Sequence, residues 1–225
     1  MAFRLRLTNL QIVVYAIFIF LSANSFAFVR TRSDAGNKIA WPAFKTTIPL
    51  MLHLDGYHGL SESGLQDVIV DSASQWASAN HTQSFALYTG SSPRIEQSDL
   101  YFSTNWNYFG SSAVLAVTQV AYDGSSGEVV AADIIINDNL NFDLNENANS
   151  SIYNIKSVIT HEMGHMFGLS HGQVHSSTMF PSITSGMGTT HSDDKVGMVN
   201  SYPSGTGNSL GIISGKVVGG DSLIG

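Results

Sequence analysis

The chain has 225 residues, 43% of them apolar and only 12% charged, with 10 basic residues against 17 acidic ones and a formal net charge of −7. That is enough chain for one domain with a real core; it excludes wholesale disorder, which needs low hydrophobicity and high charge, and a coiled coil, which needs abundant Glu, Lys and Arg. An acidic chain without a Lys/Arg cluster lacks the basic stripe that nucleic acid rewards, and a chain without cysteine forms no disulfide, thiolate metal site or cysteine nucleophile.

Residues 1–27 read as an export signal. Arg4 and Arg6 precede an unbroken apolar run from Ile12 to Leu21, and the Ser25-Phe-Ala27 ending suits signal peptidase, so cleavage is expected after Ala27. The run is too short for a transmembrane anchor, which needs about 20 residues. No second long apolar run follows. The mature protein is therefore expected to be secreted, with no stable membrane anchor and a charge of −9 once the two arginines are gone.

The mature chain begins with a polar, irregular stretch, 28–45, stopped by Trp41-Pro42. Thr46 to Leu54 reads as a strand, with Pro49 suggesting an edge or an end. Leu65 to Ala79 has apolar residues at 65, 68, 69, 73, 76 and 77, which predicts a helix capped by Ser61 or Ser63. Strands are predicted at 84–89, 99–104, 113–122 and 129–137, then an Asn-rich acidic loop over 137–151. Ile152 to Phe167 is apolar at 152, 155, 159, 163 and 166 and predicts a second helix; Ser192 to Tyr202 predicts a short last one. Strands in a run followed by helices indicate α+β, with helices packed on one sheet. After Pro203, Ser204–Ser209 reads as a flexible linker and Ile212 to Val218 as one strand. A lone strand cannot fold by itself, so it either joins the main sheet or opens a further β domain.

The chemistry is concentrated in His161-Glu-Met-Gly-His165-Met-Phe-Gly168-Leu-Ser-His171. On a helix His161 and His165 are one turn apart and face the same way, so both imidazoles can bind one Zn²⁺. Glu162 lies about 100° round the helix. It is badly placed as a ligand and well placed as a general base for water on the metal. Gly168 permits the left-handed turn that ends the helix and lets His171 return as third ligand. Three protein ligands leave a fourth position for water, the mark of a catalytic zinc site.

HExxHxxGxxH is the metzincin signature, and Ser177-Thr-Met179-Phe-Pro181, with Met179 eight residues after His171, resembles the Met-turn of the matrixins. Residues 130–137, 153–160 and 191–203 resemble the last sheet strand, the active-site helix and the closing helix of secreted bacterial matrixins. The likeness covers about residues 40–203. It implies a zincin-like fold: a twisted five-stranded mixed sheet with two long helices, a Met-turn and a C-terminal helix. The implied organisation is a signal peptide at 1–27, a catalytic domain at 28–203, and a linker with a stray strand at 204–225.

The resemblance also implies roles. Met179 floors the zinc site. Asp194 accepts hydrogen bonds from the Met-turn backbone and is expected to be buried, with Asp193 more exposed, in a helix capped by Ser192. Ala113, Val114, Leu115 and Ala116 belong to the edge strand that holds an extended substrate. Phe180, Pro181, Ser182 and Ile183 wall the main specificity pocket, joined by Ser157 one turn before His161. Gly172 after His171, where astacins carry Glu, points to the matrixin side. Without cysteine, the cysteine-switch latency of the animal enzymes has no counterpart. No clear set for a second zinc is found, and His53, His58, His81, His175 and His191 read as ordinary surface or core histidines. Asn137 to Glu146 is rich in oxygen ligands that suit Ca²⁺ but lacks the glycine and final glutamate of an EF-hand loop, so a solvated loop is the competing reading.

The function expected is that of a secreted, monomeric zinc endopeptidase, cleaving protein or peptide substrates through a zinc-bound water activated by Glu162. The alternatives are a catalytically inactive zinc-binding or adhesive domain on the same fold, and a zinc hydrolase of non-peptide bonds.

Overall fold

The computed structural model describes residues 28–54, 59–90, 97–106, 111–145, 152–184 and 186–203. The expected signal peptide, the linker and strand of 204–225, His58 and residues 146–151 of the Asn-rich loop lie outside them. In chain order the elements are β1 (Val29–Arg30), β2 (Thr47–His53), α1 (Glu62–Asn80), β3 (Ser84–Thr89), β4 (Ser98–Ser103), β5 (Ala116–Tyr122), β6 (Val129–Asn137), β7 (Asn141–Asp143), β8 (Ile152–Asn154), α2 (Ile155–Met166), β9 (Leu169–Ser170) and α3 (Ser192–Ser201). This is the α+β arrangement expected. The main sheet is five-stranded and mixed, in the order β3-β2-β4-β6-β5. Its first four strands run parallel and β5 pairs antiparallel with β6 as an edge.

Period-2 alternation builds the sheet: Ile48, Leu50 and Leu52 of β2 are all buried, as are Ala132, Ile134 and Ile136 of β6. Helix α1 presents one apolar stripe of Leu65, Ile69, Ala73 and Trp76 to the core. The Ser61 hydroxyl caps it by accepting from the Gly64 N–H at 3.1 Å, and the chain leaves through His81 in the left-handed region, φ 58°. Helix α2 is buried on nearly every side. Trp76, Phe85 and Phe167 meet where the two helices and the sheet converge, with ring centroids 5.0–6.0 Å apart. Among the described residues no helix is long and apolar enough to cross a membrane.

Several expectations need correction. The helix predicted from Ile152 starts at Ile155, because 152–154 form β8, parallel to β7 inside the stretch read as a loop. Segments of three residues are too short to show a period. The strand predicted from Ala113 joins the ladder only at Ala116. Pro49 sits in an inner strand, yet β4 joins β2 only from Leu50 onward, so the proline lies where β2 has a single neighbour. The stretch 28–45, read as irregular, contains β1, which pairs antiparallel with β9 next to the metal motif. Finally, α3 is capped by His191, whose ring accepts from the Asp193 N–H, and not by Ser192.

Candidate active site and metal centre

The Asn154 side chain starts the motif helix by accepting from the Ser157 N–H at 2.8 Å. About two turns later His161 and, one turn beyond it, His165 project together, their Nε2 atoms 3.1 Å apart. Each ring is oriented from behind: His161 Nδ1 lies 2.6 Å from the Thr178 carbonyl and His165 Nδ1 2.7 Å from the Leu169 carbonyl. A carbonyl only accepts, so Nδ1 carries the proton in both rings and Nε2 turns its lone pair to the shared centre.

Past the helix, Gly168 takes φ 78°, and a Cβ there would lie 2.0 Å from the Ile39 carbonyl oxygen. Only glycine allows both the turn and the close approach. The turn delivers His171, whose Nε2 lies 3.2 Å from that of His161. Tetrahedral ligands about 2.0–2.1 Å from zinc sit about 3.3–3.4 Å from one another, so the spacing fits one ion. Among the described residues this is the one trio of His, Asp or Glu side chains that converges in this way. Burial, reinforced by the neighbouring His165 and His171, pushes His161 down to about 3; burial also lowers His165 and His171. Each shift favours the neutral ring, the form that ligates metal.

Glu162 is buried on the flank of the same helix, facing a cleft of about 480 Å³. Burial pushes its carboxyl up to about 7, opposed by a hydrogen bond from the Thr118 hydroxyl, 2.7 Å from Oε2. Ala113, Val114, Leu115 and Ala116 form the cleft's rim, and Phe180, Pro181, Ser182 and Ile183 its opposite wall. Asn137 holds the rim: its side-chain amide donates to the Ser112 and Val114 carbonyls.

Ser157 does not line the cleft; it is buried in the first turn of α2. Val158 lines it instead, together with Tyr153. The cleft opens on the face of Glu162, and the residue one turn before Glu162 is Val158, whereas Ser157 is one turn before His161. Choosing Glu162 as the reference would have found Val158.

Beneath the helix, Met179 is buried against Gly164, where a Cβ would lie 2.2 Å from the Met179 sulfur and 2.8 Å from the Trp76 ring. Asp194 accepts from the backbone N–H groups of Thr178 (2.9 Å), Met179 (3.2 Å) and His191 (2.8 Å). Burial raises its carboxyl, with those three donors pulling it back down. Asp193, expected to be the more exposed of the pair, is 3% exposed against 1% for Asp194.

The other described histidines have structural places. His53 pairs with Asp99 at 2.7 Å, His81 ends α1, His191 caps α3 and the His175 ring packs on Phe180. In 137–145 the oxygens of Asn137 and Asp143 accept from N–H groups of their own loop, and Glu146 lies outside the described residues. Missed in the sequence were Thr118, Trp41 and Tyr202. The Trp41 indole donates to the Met166 carbonyl and the Tyr202 hydroxyl to the Phe167 carbonyl, so both serve the end of the motif helix. None carries a spacing that points to this role, although Tyr202 falls within the 191–203 resemblance.

A helix-borne histidine pair, a third histidine returned by a glycine turn and a buried methionine under the helix are together what separates metzincins from other zincins. The family within that class follows from comparison of sequences: the matrixin model matches residues 58–203, more than half of the chain, and the protein belongs to the matrixins, a family of zinc metallopeptidases. No curated protein matches the chain significantly.

Proposed function

We propose that the protein is a secreted zinc endopeptidase acting on protein or peptide substrates, with Glu162 as its general base. The observation that carries this is the meeting of three imidazoles at one point beside a buried carboxyl that faces a cleft. His161, His165 and His171 would hold the zinc, which when bound would supply Lewis-acid polarisation of the scissile carbonyl and of water. Glu162 takes a proton from the attacking water and hands it to the leaving amine nitrogen. Burial raises the Glu162 carboxyl, which favours its taking up a proton between the two halves of that transfer. An extended peptide lies along the 113–116 rim, which runs into the edge strand β5 at Ala116, as an added strand. One substrate side chain packs between Val158, Tyr153 and Ile183. Residues 1–27 direct export, and the mature monomer works outside the cell.

Glu162 also separates this reading from an inactive zinc-binding domain, which has no use for a base. The test is Glu162→Ala, with zinc content and casein cleavage measured on one preparation. Zinc is expected to stay stoichiometric while turnover falls about 10²–10⁴-fold. Retained turnover would sink the assignment of Glu162.

A further inference from the structure

Strand β5 turns Ala116, Thr118 and Val120 toward the helices. Ala116 is buried in the core and Val120 packs against it, so Thr118 is the one polar member of that row. A valine would fill the same volume without a hydroxyl to desolvate. The hydroxyl's single proton is shared between two acceptors on one residue, Glu162 Oε2 at 2.7 Å and, more distantly, the Glu162 main-chain oxygen at 3.0 Å. Thr118 does not line the cleft.

We propose that Thr118 is a positioning residue for the hydrolysis assigned above: it holds Oε2 of Glu162 against β5, so that Oε1 alone faces the reacting water. The proposal rests on the reading of Glu162 as the base. A carboxyl free to rotate about its terminal torsion samples a broad, two-fold set of orientations, and proton transfer needs one oxygen within hydrogen-bond reach of the water. One charge-assisted bond to the rear oxygen fixes the plane of the group. The proton then moves from water to Oε1 and from Oε1 to the leaving nitrogen, while the threonine keeps its own proton throughout. The backbone link matters as well. By reaching both the side chain and the main chain of Glu162, Thr118 ties the edge strand that receives substrate to the turn of helix that carries the base.

The experiment compares Thr118→Val, Thr118→Ser and Glu162→Ala in the full-length, zinc-loaded protein. Peptide kcat and KM, zinc stoichiometry and melting temperature of the zinc-free form are measured for each. Thr118→Val is expected to lower kcat about 10- to 100-fold, the worth of one hydrogen bond to a charged group. KM should stay within about two-fold and zinc content should be unchanged. Thr118→Ser, which keeps the hydroxyl, should restore kcat and the zinc-free melting temperature toward wild type. If Thr118→Val turns over like wild type while Glu162→Ala is dead, the positioning role is overturned and the base stands. If Val and Ser lose activity alike, or zinc is lost with kcat, the residue is merely structural and the proposal also fails. An active Glu162→Ala removes the base itself, and the proposal with it.

Discussion

His161 and His165 stand on a helix buried on nearly every side, whereas His171 stands on an exposed turn beyond it. The first two are set by helix geometry and by one backbone carbonyl each. The third depends on segments far away in sequence. Thr31 donates to the Gly168 carbonyl, β1 pairs with β9, Gly172 donates to the Met179 carbonyl, and Tyr202 holds the Phe167 carbonyl. Two-thirds of the ligand set is therefore local in origin, and one-third is a tertiary product. Substitutions that loosen the turn should cost zinc affinity through His171 and leave the helix-borne pair in register.

The sharpest break in that comparison is Gly168→Ala. A residue with a Cβ at φ 78° is strained by about 1–3 kcal/mol, and here the Cβ also meets the Ile39 carbonyl at 2.0 Å. Moving that backbone adds an overpacking cost, for a total of about 3–5 kcal/mol. Thermal unfolding of the zinc-free protein should show this loss, and competition with a chelator should show weakened zinc binding as well. Retention of both would mean that the N-terminal segment does not constrain the turn.

Asp194→Ala comes next, because one carboxylate serves three backbone amides, those of Thr178 and Met179 buried and that of His191 partly so, and a hydrogen bond to a charged group contributes about 1.5–3 kcal/mol. About 3 kcal/mol of stability should go. Zinc affinity should fall too, since Thr178 gives its N–H to Asp194 and its carbonyl to His161. Asp193→Ala, although as buried, leaves the three Asp194 bonds in place and should cost less. Urea unfolding of both variants decides it; equal losses would remove Asp194 from its special place.

Which half could be read in advance follows the same division. His161, Glu162, His165, Gly168 and His171 are legible because helix spacing converts sequence intervals directly into a common face. The strands of the main sheet are legible from their alternation and turns. Trp41 and Tyr202 are not: they bond backbone carbonyls 125 and 35 residues away, and a side chain aimed at a carbonyl leaves no period and no partner residue type to look for. Thr118 is hidden in an ordinary β-branched strand. Ser157 was misplaced by one residue because the cleft opens along Glu162 and not along His161. The pairings β1–β9 and β7–β8 involve two and three residues, below any detectable repeat.

Tyr202→Phe sharpens the comparison more gently. It removes the donor to the Phe167 carbonyl at 3.0 Å and the acceptor for the Trp41 N–H at 3.2 Å, keeping the buried ring. About 1–2 kcal/mol should be lost. Zinc release should quicken more than it does in a core variant of equal stability cost, because the Phe167 carbonyl immediately precedes the turn that carries His171. Stopped-flow chelation beside such a matched variant would show it; equal release rates would confine Tyr202 to general packing.

The smallest effect belongs to the helix-borne half. Asp71 of α1 and Lys156 in the first turn of α2 form an ion pair at 2.7 Å, with the carboxylate side chain 48% exposed. The hydrogen bond from Lys156 holds the Asp71 carboxyl below its ordinary value, burial opposes the shift, and the lysine's charge adds to it. A carboxyl whose native pKa is lowered binds its proton more weakly when folded. Its contribution is therefore fully present above the unfolded pKa of about 3.9 and lost as pH falls through the lower native value. Exposure and salt limit it to under about 1 kcal/mol. Asp71→Asn should thus lower stability slightly at pH 7 in low salt, and the difference from wild type should shrink below pH 4 and in 1 M salt. Lys156 also runs close over Gly188, where a Cβ would meet its stem at 3.1–3.4 Å. The pair thereby braces α2 between α1 and the loop that precedes α3, without touching the 168–172 turn. Zinc affinity should consequently be unchanged in Asp71→Asn. A measurable loss of zinc from this variant would show that the helix-borne ligands are less independent of their surroundings than their geometry implies.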